Sequence, residues 1–595
     1  MKHFLLSLCC FVSVGALSAQ DDFLAKQYFN DGSFEKAVVF YEKLVRQNPR
    51  RTDYGEGLIA CYQQLERYGD AEGYLLQQLG KPYANPTFYV ELGYNHTLQD
   101  QQEEALKNYR KALAQIEKKP SYGYAIGLRF QKYALLDQAL SAYSKAMELN
   151  PNLDYNYQLA KLYGEKGDVE KMYGAYLKLI SEGKTSKSNV LRSIDDFISE
   201  DPENGNNLKL KKILLENAQR NPDVLWNELL SWLFVQQKQF GSAFRQEKAI
   251  YRRSESSSVQ RLENLGKLAM EENENDLARE VFEYIIKNNN NPNNLLNAQL
   301  QLITLQLRTA DAKTLDTVEA RFEELMEQYG YDNGTLQLQV AYANFLTFEK
   351  NDPDPAVRIL KNSLELPLNP RGKAYIKLAL GDILVYDQRF NEALIYFSQT
   401  QKGLKNDMLG QEARYKVAQT SFYKGDFDWA LTQLKVLRGS TSQLIANDAM
   451  QLSLLISDNS LEDSTQTALK KYARADLLGY QNRTRAAIDT LDIILKEHKG
   501  EKIEDDALFQ QGQLLEQLKD YTAAEFNYLK IIEFYPNGIL ADDAHFALGE
   551  LYRTKLNAPE KAKAQYEKII YRYQDSYYFP QARKNFRKLR GDPVN

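Results

Sequence analysis

Residues 24–49 read LAKQYFNDGSFEKAVVFYEKLVRQNP, and residues 135–151 read LLDQALSAYSKAMELNP. Each holds one alanine of a series: Ala37, Ala71, Ala105 and Ala139 stand 34 residues apart, and Met172 follows 33 further on. A frame travels with this marker. Nine residues earlier are Tyr28, Tyr62, His96, Phe130 and Tyr163; four later are Tyr41, Leu75, Tyr109, Tyr143 and Tyr176; twelve earlier are Ala25, Ile59, Gly93, Gly127 and Ala160. Self-similarity at this period marks a stacked-repeat architecture whose unit is one supersecondary element. Small residues twelve before the marker let two helices approach closely, aromatic side chains fill the gap, and Gly32 or Gly167 supplies the turn. Composition agrees, since tyrosine (40) outnumbers phenylalanine (26) and tryptophan (3), as a frame with recurrent aromatic positions requires.

Beyond residue 200 the frame continues with drift. Gly381, Phe390, Ala393 and Phe397 are followed 37 residues later by Ala418, Phe427, Ala430 and Leu434; Gly512, Tyr521, Ala524 and Tyr528 are followed by Gly549, Ala562 and Tyr566. The small-to-alanine interval is 12 in most of these copies, as in Gly381–Ala393 and Gly512–Ala524, so the added residues fall after the second helix. Residues 186–221, 295–355 and 440–475 have a helical apolar period and match the frame poorly. Polar stretches at Ser254–Ser258, Asn288–Asn294 and Ser457–Ser464 are expected to break the stacking. The pattern divides the chain into an N-terminal array (20–185), a divergent array (186–290), a central array (291–440), a C-terminal array (441–578) and a capping helix with tail (579–595). In the cap Phe579, Ala582, Phe586 and Leu589 share one face and Arg583, Lys584, Arg587 and Lys588 the other.

The repeat resembles the tetratricopeptide (TPR) family. The resemblance implies an all-α, right-handed α-solenoid of about 12–14 helical hairpins, with the first helix of each unit lining a concave face. At the corresponding positions stand Phe29, Tyr94, Tyr124 and Tyr157 and, further on, Tyr375, Tyr386, Tyr415, Phe422, Tyr423 and Phe509. Of these, Tyr94, Tyr124, Tyr157, Tyr375, Tyr415, Phe422 and Phe509 are the expected partner-binding groove, because tyrosine offers rigid apolar area with a polar tip. The alternative is packing against the neighbouring first helix. The basic clamp of TPRs that hold acidic tails is missing, the N-terminal positions mixing Asp22, Lys26, Glu56 and Lys161. A second resemblance covers residues 535–552, YPNGILADDAHFALGELY, and 560–589, EKAKAQYEKIIYRYQDSYYFPQARKNFRKL. These are similar to periplasmic envelope TPR proteins of the BamD-like and CpoB-like kinds.

The amino terminus fits that setting. Lys2 and His3 precede an apolar run from Phe4 to Leu17 and the small pair Ser18-Ala19, the texture of a secretory signal cut after Ala19. Leu8 and Cys9 are too large before Cys9 and Cys10 for a lipid anchor, and cleavage leaves Cys61 alone, which excludes an intramolecular disulfide. The 75 basic and 80 acidic side chains give a net charge of −5, with no field for nucleic acid. His96, His498 and His545 are far apart in sequence and no metal site is expected. Glu182–Thr185, EGKT, lacks the upstream glycine of a phosphate loop, Lys178 standing there instead. The pairs Asp195-Asp196, Asp505-Asp506 and Asp542-Asp543 read as helix-opening caps and not as acid/base dyads. No catalytic residue, cofactor or small-molecule substrate is expected. The function that follows is a periplasmic scaffold binding envelope proteins or peptide segments for outer-membrane assembly, secretion or division, its own membrane association coming through a partner. The alternative is recognition of glycan or peptidoglycan by an aromatic groove.

Overall fold

The 34-residue period resolves into pairs of antiparallel helices joined by tight turns, an all-α solenoid. The computed structural model describes residues 20–253, 258–309, 311–439, 442–460 and 465–592. The expected leader and its cut after Ala19 lie outside these residues, as do 254–257 and 461–464 of two expected joints. Two compact units emerge, Met1–Lys238 and Gln239–Asn595. Among the described residues no helix is long and apolar enough to cross a membrane.

The turn inside each pair obeys one rule. The residue five before the marker takes a left-handed backbone: Gly32, Glu66, Asp100, Ala134 and Gly167 in the first unit, and Asn273, Gln388, Gly425, Asn482 and Lys519 among others in the second, with φ between 53° and 86°. Only three of these ten are glycine, so the sequence shows the turn at a minority of its sites. Paired backbone bonds enforce it. The amide of Gly32 donates to the Phe29 carbonyl at 3.1 Å and that of Ser33 to Tyr28 at 2.8 Å; Ala134 repeats this with Gln131 and Leu135 with Phe130. These bonds satisfy carbonyls that the helix end would otherwise orphan.

Across each pair a ring lies on a bare Cα. A Cβ added to Gly381 would stand 2.3 Å from the Phe397 ring, one on Gly512 2.6 Å from Tyr528, and the same relation links Gly93 to Tyr109, Gly127 to Tyr143 and Gly266 to Phe282. The ring is always sixteen residues after the glycine. All five are nearly or fully buried. The choice between tyrosine and phenylalanine follows from the residue four after the glycine. Thr97, Gln131 and Glu516 each bond the hydroxyl of Tyr109, Tyr143 and Tyr528, at 2.9, 2.7 and 2.6 Å. Met270 and Val385 cannot, and there the rings are Phe282 and Phe397. Where the first helix carries the larger Ile59, its counterpart sixteen later is Leu75, and the two share one apolar cluster.

Departures from the frame are local. Residues 186–221 form helix Lys187–Ile194, a 3-10 turn at Asp195–Phe197 and helix Gly205–Arg220. Asp195 and Asp196 therefore follow a helix and open only that short turn, contrary to expectation. The Asn288–Asn294 stretch is no break in stacking. Asn291 caps helix Pro292–Leu307 by accepting from the amides of Asn293 and Asn294, and the Tyr251 hydroxyl donates to the Asn288 carbonyl while accepting from Asn289. Helix Phe579–Arg590, the last among the described residues, buries Ala582 and rests Phe586 and Leu589 on the neighbouring cluster. In the second unit helix Thr467–Tyr480 reaches back across about a hundred residues: the Gln481 amide group donates to the Tyr386 carbonyl at 2.6 Å, Asn482 to Phe348 at 3.2 Å, and the Tyr480 hydroxyl to Asp382.

Three substitutions test the frame and its turn. Gly381→Ala is expected to cost about 1–3 kcal/mol, read as lost hydrogen-exchange protection in Pro370–Gly403, because the buried ring has nowhere to move. Gly73→Ala, at a helical glycine with nothing within 4 Å, should instead gain up to about 1 kcal/mol. Ala134→Gly should stabilise its hairpin by roughly 0.5–1 kcal/mol, since an exposed alanine there bears left-handed strain; an unchanged or lowered melting temperature would contradict the turn rule.

Candidate functional site

On the first-helix face of the first unit, charges cancel internally. Glu56 of helix Thr52–Gln64, Glu91 of helix Phe88–Thr97 and Arg129 of helix Tyr122–Lys132 form a strap across three successive first helices. Arg129 pairs with both glutamates, and Tyr133 donates to Glu91 at 2.5 Å. The Glu91 side chain is 2% exposed, so its partners are obligatory. Lys26 pairs with Asp22 at 3.0 Å and Lys161 lies 3.9 Å from Glu165.

The residues of the expected groove have different surroundings within each unit. Tyr94 is half-buried and stacks on Tyr133, centroids 3.7 Å apart at 14°, the packing alternative realised. Tyr124 and Tyr157 remain close to half exposed; Tyr124 meets Tyr143 and Tyr155, and Tyr157 stands edge-on to Tyr176. Tyr375, in the second unit, is 38% exposed. Phe422 must be corrected: it is fully buried against Phe427, because the turn at Gly425 folds the second helix onto it, and nothing could dock on it. Tyr415 and Phe509 are brought together.

They share a cleft of about 790 Å³ in the second unit. Its floor comes from successive first helices, which bring in Tyr415 from Met408–Lys424, Tyr472 from Thr467–Tyr480, Asp505, Asp506 and Phe509 from Ile503–Gln517, and Asp543 from Ala541–Thr554. One wall is helix Gln443–Ser460, the out-of-frame segment, which contributes Asp448, Leu452, Leu455 and Asp458. The rim carries Lys502, Tyr535, the exposed Ile539 and Tyr578.

The carboxylates here are not simple caps. Asp505 does accept from the Asp506 amide at 3.0 Å. Asp506, one position on, turns into the cleft and accepts from Asn459 of the wall helix at 2.9 Å. Burial, reinforced by the charges of Asp505 and Asp458 and opposed by the Asn459 bond, pushes its carboxyl up to about 7. Asp543 accepts from the Tyr578 hydroxyl and is likewise raised by burial. Behind the floor Asp476, bonded by Gln510, is raised to about 6 for the same reason. Sequence reasoning missed Asp505, Asp506 and Asp543 as site residues because each sits in a helix's first turn, where a cap explains it locally. The available signal was the failure of residues 440–475 to fit the frame.

Two models described as tetratricopeptide repeat match the chain, at residues 472–539 and 543–576. The chain carries tetratricopeptide repeats. The matched residues supply most of the cleft floor. A TPR repeat-containing protein of Methanocaldococcus jannaschii is 26% identical over 192 residues, covering 30% of this chain and 33% of that protein. The general transcriptional corepressor trfA of Dictyostelium discoideum is 22% identical over 130 residues, covering 22% of this chain and 9% of its own length. The chain thus spans about a third or less of the curated relatives that it matches. Among solved structures, a chain of Naa15/Naa10 bound to HypK-THB has a TM-score of 0.32 at 15% identity, covering 97% of this chain and 100% of that one. A chain of the APC/C hetero-tetramer Cut9-Hcn1 has 0.23 at 14%, covering 96% of each. Values this low carry no functional information.

The cleft's electrostatics have a measurable sign. A carboxyl with a folded pKa above its unfolded value holds its proton preferentially in the native state, so its stabilising contribution is full below about pH 4 and is lost as pH rises through about 7. Asp506→Asn, neutral at every pH, is expected to match the wild type near pH 4 and exceed it near pH 8 by on the order of 1–3 kcal/mol in the C-terminal repeats. Hydrogen-exchange protection across Ile503–Gln517 at the two pH values is the check, and identical profiles would refute it.

Proposed function

We propose that this chain is an exported protein-binding scaffold that works without catalysis, in a cell-envelope complex for outer-membrane assembly, secretion or division. The observation that carries the binding reading is the cleft: a helix outside the repeat frame, Gln443–Ser460, walls off a first-helix surface lined by carboxylates and rings. A solenoid needs no such wall to stack. The sequence of residues 1–19 supports export, and the resemblance of 535–552 and 560–589 to envelope TPRs supports the setting. The alternative is a glycan- or peptidoglycan-recognition module using an aromatic groove; the interleaving of acids with the rings of the cleft supports protein as the partner.

Crosslinking in the native cell, followed by affinity purification and mass spectrometry, is expected to return a reproducible set of envelope proteins, with no enrichment of purified protein on peptidoglycan sacculi. Sedimentation with sacculi and no crosslinked protein would favour the glycan reading. Sequencing of the mature amino terminus should begin at Gln20; an intact Met1 on the functional protein would sink the export proposal.

A further inference from the structure

We propose that the cleft of the second unit receives an extended cationic segment of a partner protein, its lysine or arginine side chains meeting the carboxylates and its apolar side chains lying on the rings. This rests on the reading of the chain as a protein-binding scaffold.

Charge complementarity chooses the occupant. Asp448, Asp458, Glu501, Asp505, Asp506 and Asp543 line the cleft against one lysine, Lys502. Glu501 pairs with His498 at 3.0 Å, whereas Asp448 and Asp458 have no ion-pair partner among the described residues. In the first unit the comparable face neutralises itself through the Glu56–Arg129–Glu91 strap; here the opposite charge has to come from elsewhere. Cations also favour aromatic faces, and Tyr415, Tyr472, Phe509, Tyr535 and Tyr578 interleave with the acids.

A second observation points the same way. Tyr472 lines the cleft with 9% of its surface exposed, and its hydroxyl has no hydrogen-bond partner among the described residues. Other tyrosine hydroxyls of the C-terminal repeats do find one, as Tyr528 does with Glu516 and Tyr552 with Glu525. A peptide carbonyl or amide laid along the floor would give the Tyr472 hydroxyl a partner. The volume, about 790 Å³, accommodates several side chains. The exposed Leu454 and Ile539 at its edges suit alternating apolar residues.

The test is fluorescence anisotropy with the full chain and a labelled peptide of three Lys-Leu-Arg-Phe repeats, its counterpart with glutamate for lysine and arginine, and spermine as competitor. The cationic peptide should bind, the acidic one should not, and added salt should weaken binding. The combined change Asp458→Asn, Asp505→Asn, Asp543→Asn should weaken it by roughly tenfold or more, and Tyr472→Phe, which keeps the ring packing, severalfold. Circular dichroism melting confirms that both variants fold. Equal binding of the acidic peptide, unchanged binding by the folded variants, or spermine binding as tightly as the peptide would overturn the proposal. Partners still crosslinked by the triple variant would overturn it too while leaving the scaffold reading intact; their loss supports both.

Discussion

A ring lying on the bare Cα of a glycine is the contact from which the rest of the array follows. With no Cβ between them, the two helices of a pair close to the separation at which Tyr109, Tyr143, Phe397 or Tyr528 fills the interface. That separation fixes how short the connecting turn must be. The turn in turn demands a left-handed residue five before the marker, whatever its side chain, and the chain accepts Glu66, Ala134 or Lys519 there because paired backbone bonds hold them. Tyrosine or phenylalanine is decided last, by whether Thr97, Gln131 or Glu516 offers an oxygen or Met270 or Val385 offers none.

Where the frame fails, the architecture changes character. Nearest-neighbour stacking makes a solenoid nearly one-dimensional, yet helix Thr467–Tyr480 bonds Tyr386 and Phe348 through Gln481 and Asn482, across 95 and 134 residues. Rings of Phe348, Tyr386 and Tyr480 meet edge to face at the same place. The extra helix Gln443–Ser460 is what separates the two stacks in sequence, and it is also the wall of the cleft. Fold irregularity and candidate site therefore have one origin.

The period, the marker alanines and the small first-helix positions were legible because each is a local pattern repeated many times. The turn was legible at Gly32 and Gly167, since most of the other left-handed residues carry side chains that announce nothing. Asp505 and Asp506 illustrate the harder limit. Their position in a first turn predicts a cap, yet the helix has no side-chain cap and Asp505 accepts from the adjacent Asp506 amide; the direction of Asp506 depends on Asn459, 47 residues away. Phe422 fails in the opposite sense. Its frame position implies an open face, but Phe427 closes over it once Gly425 turns the chain.

Net charge is equally blind to arrangement. A chain at −5 looks nearly neutral, and the first unit behaves so because its acids are spent on Arg129 and its neighbours. In the second unit the same currency of carboxylates is left facing a cavity, and burial holds Asp506 partly protonated at neutral pH. A lysine or arginine placed beside it would reverse the cause of that shift, since an opposite charge favours the ionised form where desolvation opposes it. Occupation of the cleft by a cation would then expel a proton, and affinity would fall as the pH drops below about 7. An uncharged ligand would leave the proton where it is. Proton release on binding thus distinguishes electrostatic capture from apolar docking in the same cleft, with Asp505, also raised by burial, contributing in the same direction as Asp506.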